Sequence, residues 1–192
     1  MIKEFLERFK VFTKEEIEVV YQLFTSKKLN KFEYFVREGD PCTEIAFIKS
    51  GVFRSYYLSG AGEEITYCFR FQNDLMAAYS SFITGEGSLE NMQALSSSEI
   101  LVIKKTKIDE LVKNHPNWMK FLKIIAEQQY IELEKRIFHL QRDSAVQKYR
   151  MLIENQPEYI QKIPLQYLSS YLGITQRHLS RIRKELTFRH LS

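Results

Sequence analysis

The chain has 192 residues, 44% hydrophobic and 27% charged, enough apolar content for one or two modest domains with a true core. No apolar run approaches bilayer length, and the opening MIKEFLERFK is too charged for a signal peptide, so a cytoplasmic protein with no membrane partner is expected. The formal charge of +4 is unevenly placed: residues 140–192 hold nine Lys/Arg against four Asp/Glu, whereas residues 1–139 hold nineteen against twenty. That concentration points to a polyanion, the alternative being the ordinary coat of an exposed helix. Cys42 and Cys68 form no disulfide or metal framework, and His115, His139, His178 and His190 lack metal-ligand spacing, so no metal and no cofactor is expected.

In chain order, Thr13 and Glu16 form a capping box that starts a helix whose apolar stripe is Ile17, Val20, Tyr21 and Phe24. From residue 29 short apolar segments alternate with the turn signals EGDP (38–41), SG (50–51) and SGAG (59–62). These predict antiparallel strands at 45–49, 52–58 and 63–71, a loop-rich stretch to Gly87, then strands near 91–95 and 99–103. So many short strands must close into a sandwich or barrel. Thr106 is expected to cap a short helix ending near Asn114.

From Asn117 to Arg142 no Gly or Pro interrupts, and Trp118, Leu122, Ile125, Leu133, Ile137 and Leu140 share one broad face. Such a helix, roughly 39 Å long, exceeds what a small barrel covers. Its surplus apolar face needs a second copy, the simplest partner, or the C-terminal domain folded back upon it. A further helix spans about 143–155, followed by the Pro157 break and the segment Tyr159–Ile163.

The stretch YLSSYLGITQRHLSRIRKEL (167–186) carries the functional signal. Pro164 suits a first helical turn, so a helix is predicted over 165–172, and Gly173 provides a sharp turn. Thr175 caps the next helix, whose apolar face is Leu179, Ile182 and Leu186. Leu168, Leu172 and the corner residue Ile174 meet that face, and Ser169 is small where the helices approach. This is a helix-turn-helix. Arg177, Ser180, Arg181 and Lys184 lie opposite the apolar face; Arg suits guanine O6/N7 and Gln176 suits adenine. Thr175 and the first-turn N–H groups suit a phosphate, and His178 adds to the basic set.

As a whole the chain resembles the Crp/Fnr family of bacterial transcription regulators. The resemblance rests on EGDPCTEIAFIKSGVFRSYYL (38–58) and IPLQYLSSYLGITQRHLSRIRKEL (163–186), in that order and spacing. It implies an α+β chain: an antiparallel, jelly-roll-like β-roll flanked by helices (1–115), a long dimerisation helix (116–142) and an all-α helix-turn-helix domain (143–192). It further implies a homodimeric regulator of double-stranded DNA, with base-reading positions at Gln176, Arg177 and Arg181, and RNA polymerase as a candidate partner. Two departures stand out. Aligned without gaps, the family's phosphate cassette falls on LMAAYSSFITGEGSLENM (75–92), with Ala77 and Ala78 at its Gly-Glu positions and Ser88 and Leu89 at its Arg-Ser positions. A cyclic phosphate lacks its cation there and the ribose its acceptor, so cyclic AMP and cyclic GMP are not expected to bind in the family's manner. The effector is unknown; a less charged ligand would find Ala78, Tyr79, Phe82, Ser88, Leu89 and Met92. Second, only TFRHLS follows Leu186, too short for the family's β-hairpin wing, which leaves Arg189 and His190 as candidate backbone contacts.

Two other classes remain. One is a small-molecule sensor acting through protein contacts, with a relic helix-turn-helix. An enzyme is not expected, because no Ser/His/Asp, metal or phosphate-loop arrangement is present, and Glu63–Glu64 read as a hairpin rim.

Overall fold

The computed structural model describes residues 1–189, with side chains as far as Leu186. Helix α1 (Ile2–Glu7), which the sequence pattern did not reveal, buries Ile2 and Leu6. Helix α2 (Lys14–Tyr21) starts as predicted: the Glu16 N–H donates to Thr13 Oγ1 at 3.2 Å, and Glu16 Oε2 accepts from the Thr13 N–H at 2.8 Å.

Eight strands follow among the described residues. β1 (Thr25–Leu29), β8 (Ser98–Lys104), β3 (Glu44–Ser50) and β6 (Leu75–Met76) form one sheet in that order. The other runs β2 (Tyr34–Val36), β7 (Asn91–Ala94), β4 (Phe53–Leu58) and β5 (Glu64–Arg70). The pairs are antiparallel, with Ile48 opposite Ile100 and Phe53 opposite Ala94. Gly51 joins β3 to β4 with φ +103, and a Cβ there would lie 2.0 Å from Ser98 Oγ, so only glycine fits this corner.

Strand β3 is covered on both faces, since consecutive Ala46, Phe47 and Ile48 are each 0% exposed. Phe5 packs on Phe47 at 5.4 Å between ring centroids, Phe9 on Phe121 at 5.0 Å and Phe12 on Trp118 at 4.7 Å. Such pairs add about 0.5–1.5 kcal/mol each beyond the area they bury. This aromatic layer covers the first turns of α5 (Pro116–Arg142), a 27-residue helix that starts at Pro116 itself.

Three local expectations are corrected. The stretch before Gly87 contains α3 (Tyr79–Thr84), ended by Gly85 at φ +80. Thr106 is no cap: β8 runs straight into α4 (Lys105–Asn114), and the Lys105 N–H donates to the Thr43 carbonyl at 2.8 Å. Pro164 stands just before its helix rather than in the first turn.

The chain divides into two compact units, Met1–Tyr57 with Cys68–Glu127, and Leu58–Tyr67 with Gln128–Ser192. The second unit holds α6 (Ala145–Asn155), α7 (Pro157–Lys162), α8 (Leu165–Leu172) and α9 (Gln176–Arg189). Ser144 caps α6 through the Gln147 N–H at 3.3 Å. In the part of α5 that belongs to this unit, Tyr130, Leu133, Ile137 and Leu140 are 67%, 54%, 44% and 40% exposed.

Candidate nucleic-acid interface

Helices α8 and α9 meet where the sequence placed them. Leu168, Ser169, Leu172, Leu179, Ile182 and Leu186 are all buried, with Leu179 and Ile182 at 0% and 1% exposure. Ser169 donates its hydroxyl to the Gln166 carbonyl at 2.9 Å, so the small residue at the crossing also satisfies its own polar group. Gly173 adopts φ +69, ψ +35, and the Ile174 N–H returns to the Ser169 carbonyl at 3.0 Å. Ile174 is half-buried at the corner.

Thr175 then caps α9, its Oγ1 accepting from the His178 N–H at 3.2 Å. By helix geometry the N–H groups of Gln176 and Arg177 have no partner within α9. Thr175, Gln176, Arg177, Arg181 and Lys184 are exposed, and His178 and Ser180 are half-buried. One helix thus shows an apolar face inward and a cationic face outward, with donors gathered at its N-terminal turn. Sequence reading missed Glu185, whose Oε1 lies 3.8 Å from Arg181 Nε. Side-chain exposures of 70% and 58% make this pair worth about 1 kcal/mol at most, so it restrains Arg181 only weakly. Arg189 ends α9, and His190 lies outside the described residues.

The candidate effector residues separate. Ala78, Phe82, Met92 and Ser88 are buried at 1–4% exposure, the first three within the hydrophobic core, whereas Tyr79 is 39% and Leu89 79% exposed. Leu89 therefore does not line an enclosed site. The loop polar groups are satisfied from within: the Gly39 N–H donates to the Ser88 carbonyl at 2.8 Å and the Ser88 N–H to the Asp40 carbonyl at 2.9 Å. The Glu90 N–H donates to Ser88 Oγ at 3.1 Å, and the Cys42 N–H to Ser81 Oγ at 2.9 Å. A buried cation does exist in the roll. Arg54, 1% exposed, holds its guanidinium 4.2 Å from the Tyr56 ring centroid. It alternates with Phe53, a core residue, and so faces away from the interior that Phe53, Met92 and Ala94 fill. The alternation in Phe53–Arg54–Ser55–Tyr56 was the available signal.

Two antiparallel sheets, one long helix and a helix-turn-helix follow one another in that chain order. Residues 26–115 match the family model of the cyclic nucleotide-binding domain. The "Anaerobic regulatory protein" of Bacillus subtilis is 27% identical over 107 residues, 55% of this chain and 45% of that protein. The chain aligns over about half the length of the curated relatives it matches. Among solved structures, FixK2 from Bradyrhizobium japonicum shares the fold at TM-score 0.76 and 16% identity, over 87% of this chain and 86% of that one. A protein of the Crp/Fnr family from Eubacterium rectale does so at TM-score 0.71 and 16% identity, over 97% and 88% of the two chains. The chain thus shares its fold with a protein of the Crp/Fnr family, and residues 26–115 match the cyclic nucleotide-binding domain.

Proposed function

We propose that the protein is a homodimeric, sequence-specific DNA-binding transcription regulator. Residues 1–115 would act as effector domain, 116–142 as dimer helix and 143–192 as DNA-binding domain. The observation that carries this reading is α9, whose Leu179 and Ile182 are sealed inside while Arg177, Arg181 and Lys184 face solvent. Two such helices related by a twofold axis enter successive major grooves of a palindrome about one helical turn apart. Gln176, Arg177 and Arg181 read base edges; Thr175, His178, Ser180 and Lys184 serve the backbone. The relatives' names describe regulators rather than enzymes, and no described helix is long and apolar enough to cross a membrane. A cytoplasmic site of action and a contact with RNA polymerase belong to the same proposal.

Duplexes selected from a random pool test it. Arg181→Ala should weaken the selected duplex by about 1–3 kcal/mol and relax preference at one base pair. Equal losses on every sequence would make Arg181 a phosphate contact, and no selection by the parent would favour the sensor with a relic head.

The roll is not proposed to bind cyclic AMP or cyclic GMP in the family's manner. Ala77, Ala78, Ser88 and Leu89 bring no charge to the cassette, and the loop N–H groups described above already have acceptors. Calorimetry with either nucleotide should show no heat, and micromolar binding would refute this.

A further inference from the structure

The end of α8 is held from two sides, both within the second compact unit. On one side stands the tip of the β4–β5 hairpin. The Thr66 N–H donates to Ser170 Oγ at 2.9 Å, and Ser170 Oγ donates to the Glu64 carbonyl at 2.9 Å. These two backbone groups flank Ile65 and lie on one side of β5, the edge strand of its sheet. A single hydroxyl acts there as donor and acceptor, as a neighbouring strand would. Thr66 is 1% exposed, so its N–H draws on a protein acceptor rather than water.

On the other side Arg136 of α5 donates from Nη2 to the Tyr171 carbonyl at 3.0 Å, and its guanidinium lies 3.9 Å from the Tyr171 ring centroid. The last carbonyls of a helix lack partners within it, and a cation is the favoured one. The Tyr171 ring packs edge-on against Tyr159 at 5.6 Å, which ties the grip to α7. Ser170 and Tyr171 stand immediately before Leu172 and the Gly173 turn, from which α9 departs.

We propose that Ser170 and Arg136 are positioning residues for DNA recognition: they fix the direction of α8, and through the Gly173 turn that of α9, against the hairpin tip and the long helix. Ser169 faces the crossing with α9 and Ser170 the hairpin, so adjacent serines divide packing from positioning. A head without these two grips samples many directions and must be ordered when it meets a duplex of fixed half-site spacing. The loss falls on the selected sequence, which demands both heads in register, more than on random DNA.

This inference rests on the DNA-binding reading, so its test has one arm free of DNA. In the full-length protein Ser170→Ala should speed amide exchange at Thr66 by about fivefold, the worth of one net hydrogen bond, and Ser170→Thr should restore protection. On the duplex selected with the parent protein, Ser170→Ala and Arg136→Lys should each bind about three- to tenfold more weakly, since lysine lacks the planar stack. Affinity for a random-sequence duplex should change less, and the salt slope should stay constant because the same phosphates are neutralised. Unchanged exchange at Thr66 in Ser170→Ala would overturn the latch. Faster exchange with parental affinity and selectivity would overturn the positioning role. A parent that selects no duplex would defeat the DNA reading and the positioning role together, while the exchange arm would still decide the latch.

Discussion

Leu133→Asp tests the dimer seam with a magnitude taken from the structure. Ala126, Tyr130, Leu133, Ile137 and Leu140 recur at alternating spacings of four and three, the pattern of a two-helix seam. Leu133 is 54% exposed. Full burial of a leucine is worth about 2.5 kcal/mol, so covering the exposed half contributes about 1.3 kcal/mol per protomer and about 2.6 for the symmetric pair. Losing that contribution weakens association roughly 80-fold, and desolvating two carboxylates adds to the loss. Phe138 is the matched control: it too is 54% exposed, yet it lies about 140° around the helix from Leu133. Sedimentation equilibrium should show a parent dimer, an intact dimer for Phe138→Asp and a shift toward monomer for Leu133→Asp. Equal weakening by both variants, or a monomeric parent, would refute the seam.

Gly51→Ala should destabilise the first unit by about 2–4 kcal/mol in urea, because the new Cβ meets Ser98 at a positive φ. Gly60→Ala, with nothing within 4 Å of its Cβ, should cost far less, and similar losses would undo the steric argument. Asp143 is held below the usual carboxylate range, first by its hydrogen bond with Arg142 and then by that with His139. A depressed folded-state pKa gives stability that is present above the unfolded value of about 3.9 and is lost as pH falls through the folded value. Asp143→Asn should therefore be less stable than the parent at pH 6, with the gap closing in strong acid. A gap that persists there would assign the effect to packing instead.

Features set by neighbours in the chain were open to sequence reading. The Thr13 box and the bounds of α8 depend on residues within a few positions of one another, and the Ser50–Gly51 turn signal is local even though Ser98 is what forbids a side chain at Gly51. Helix α3 escaped because six residues are too few to display a 3.6-residue period, and β6 because two residues show no alternation. Thr106 misled because β8 runs directly into α4: Lys104 takes the N-cap position, so Thr106 already lies inside the helix.

The sequence by itself determined that the tail carries a helix-turn-helix with a basic outer face and that short strands precede a long helix, because hydrophobic period and turn chemistry are local. Only the tertiary structure decided which strands share a sheet, that Arg54 is buried rather than solvated, and that Ser170 meets Glu64 and Thr66. That last contact spans 104 and 106 positions, and nothing in either segment announces the other. A hydrogen bond made across such a distance is chosen by how packed elements come together, and no short-range pattern encodes it.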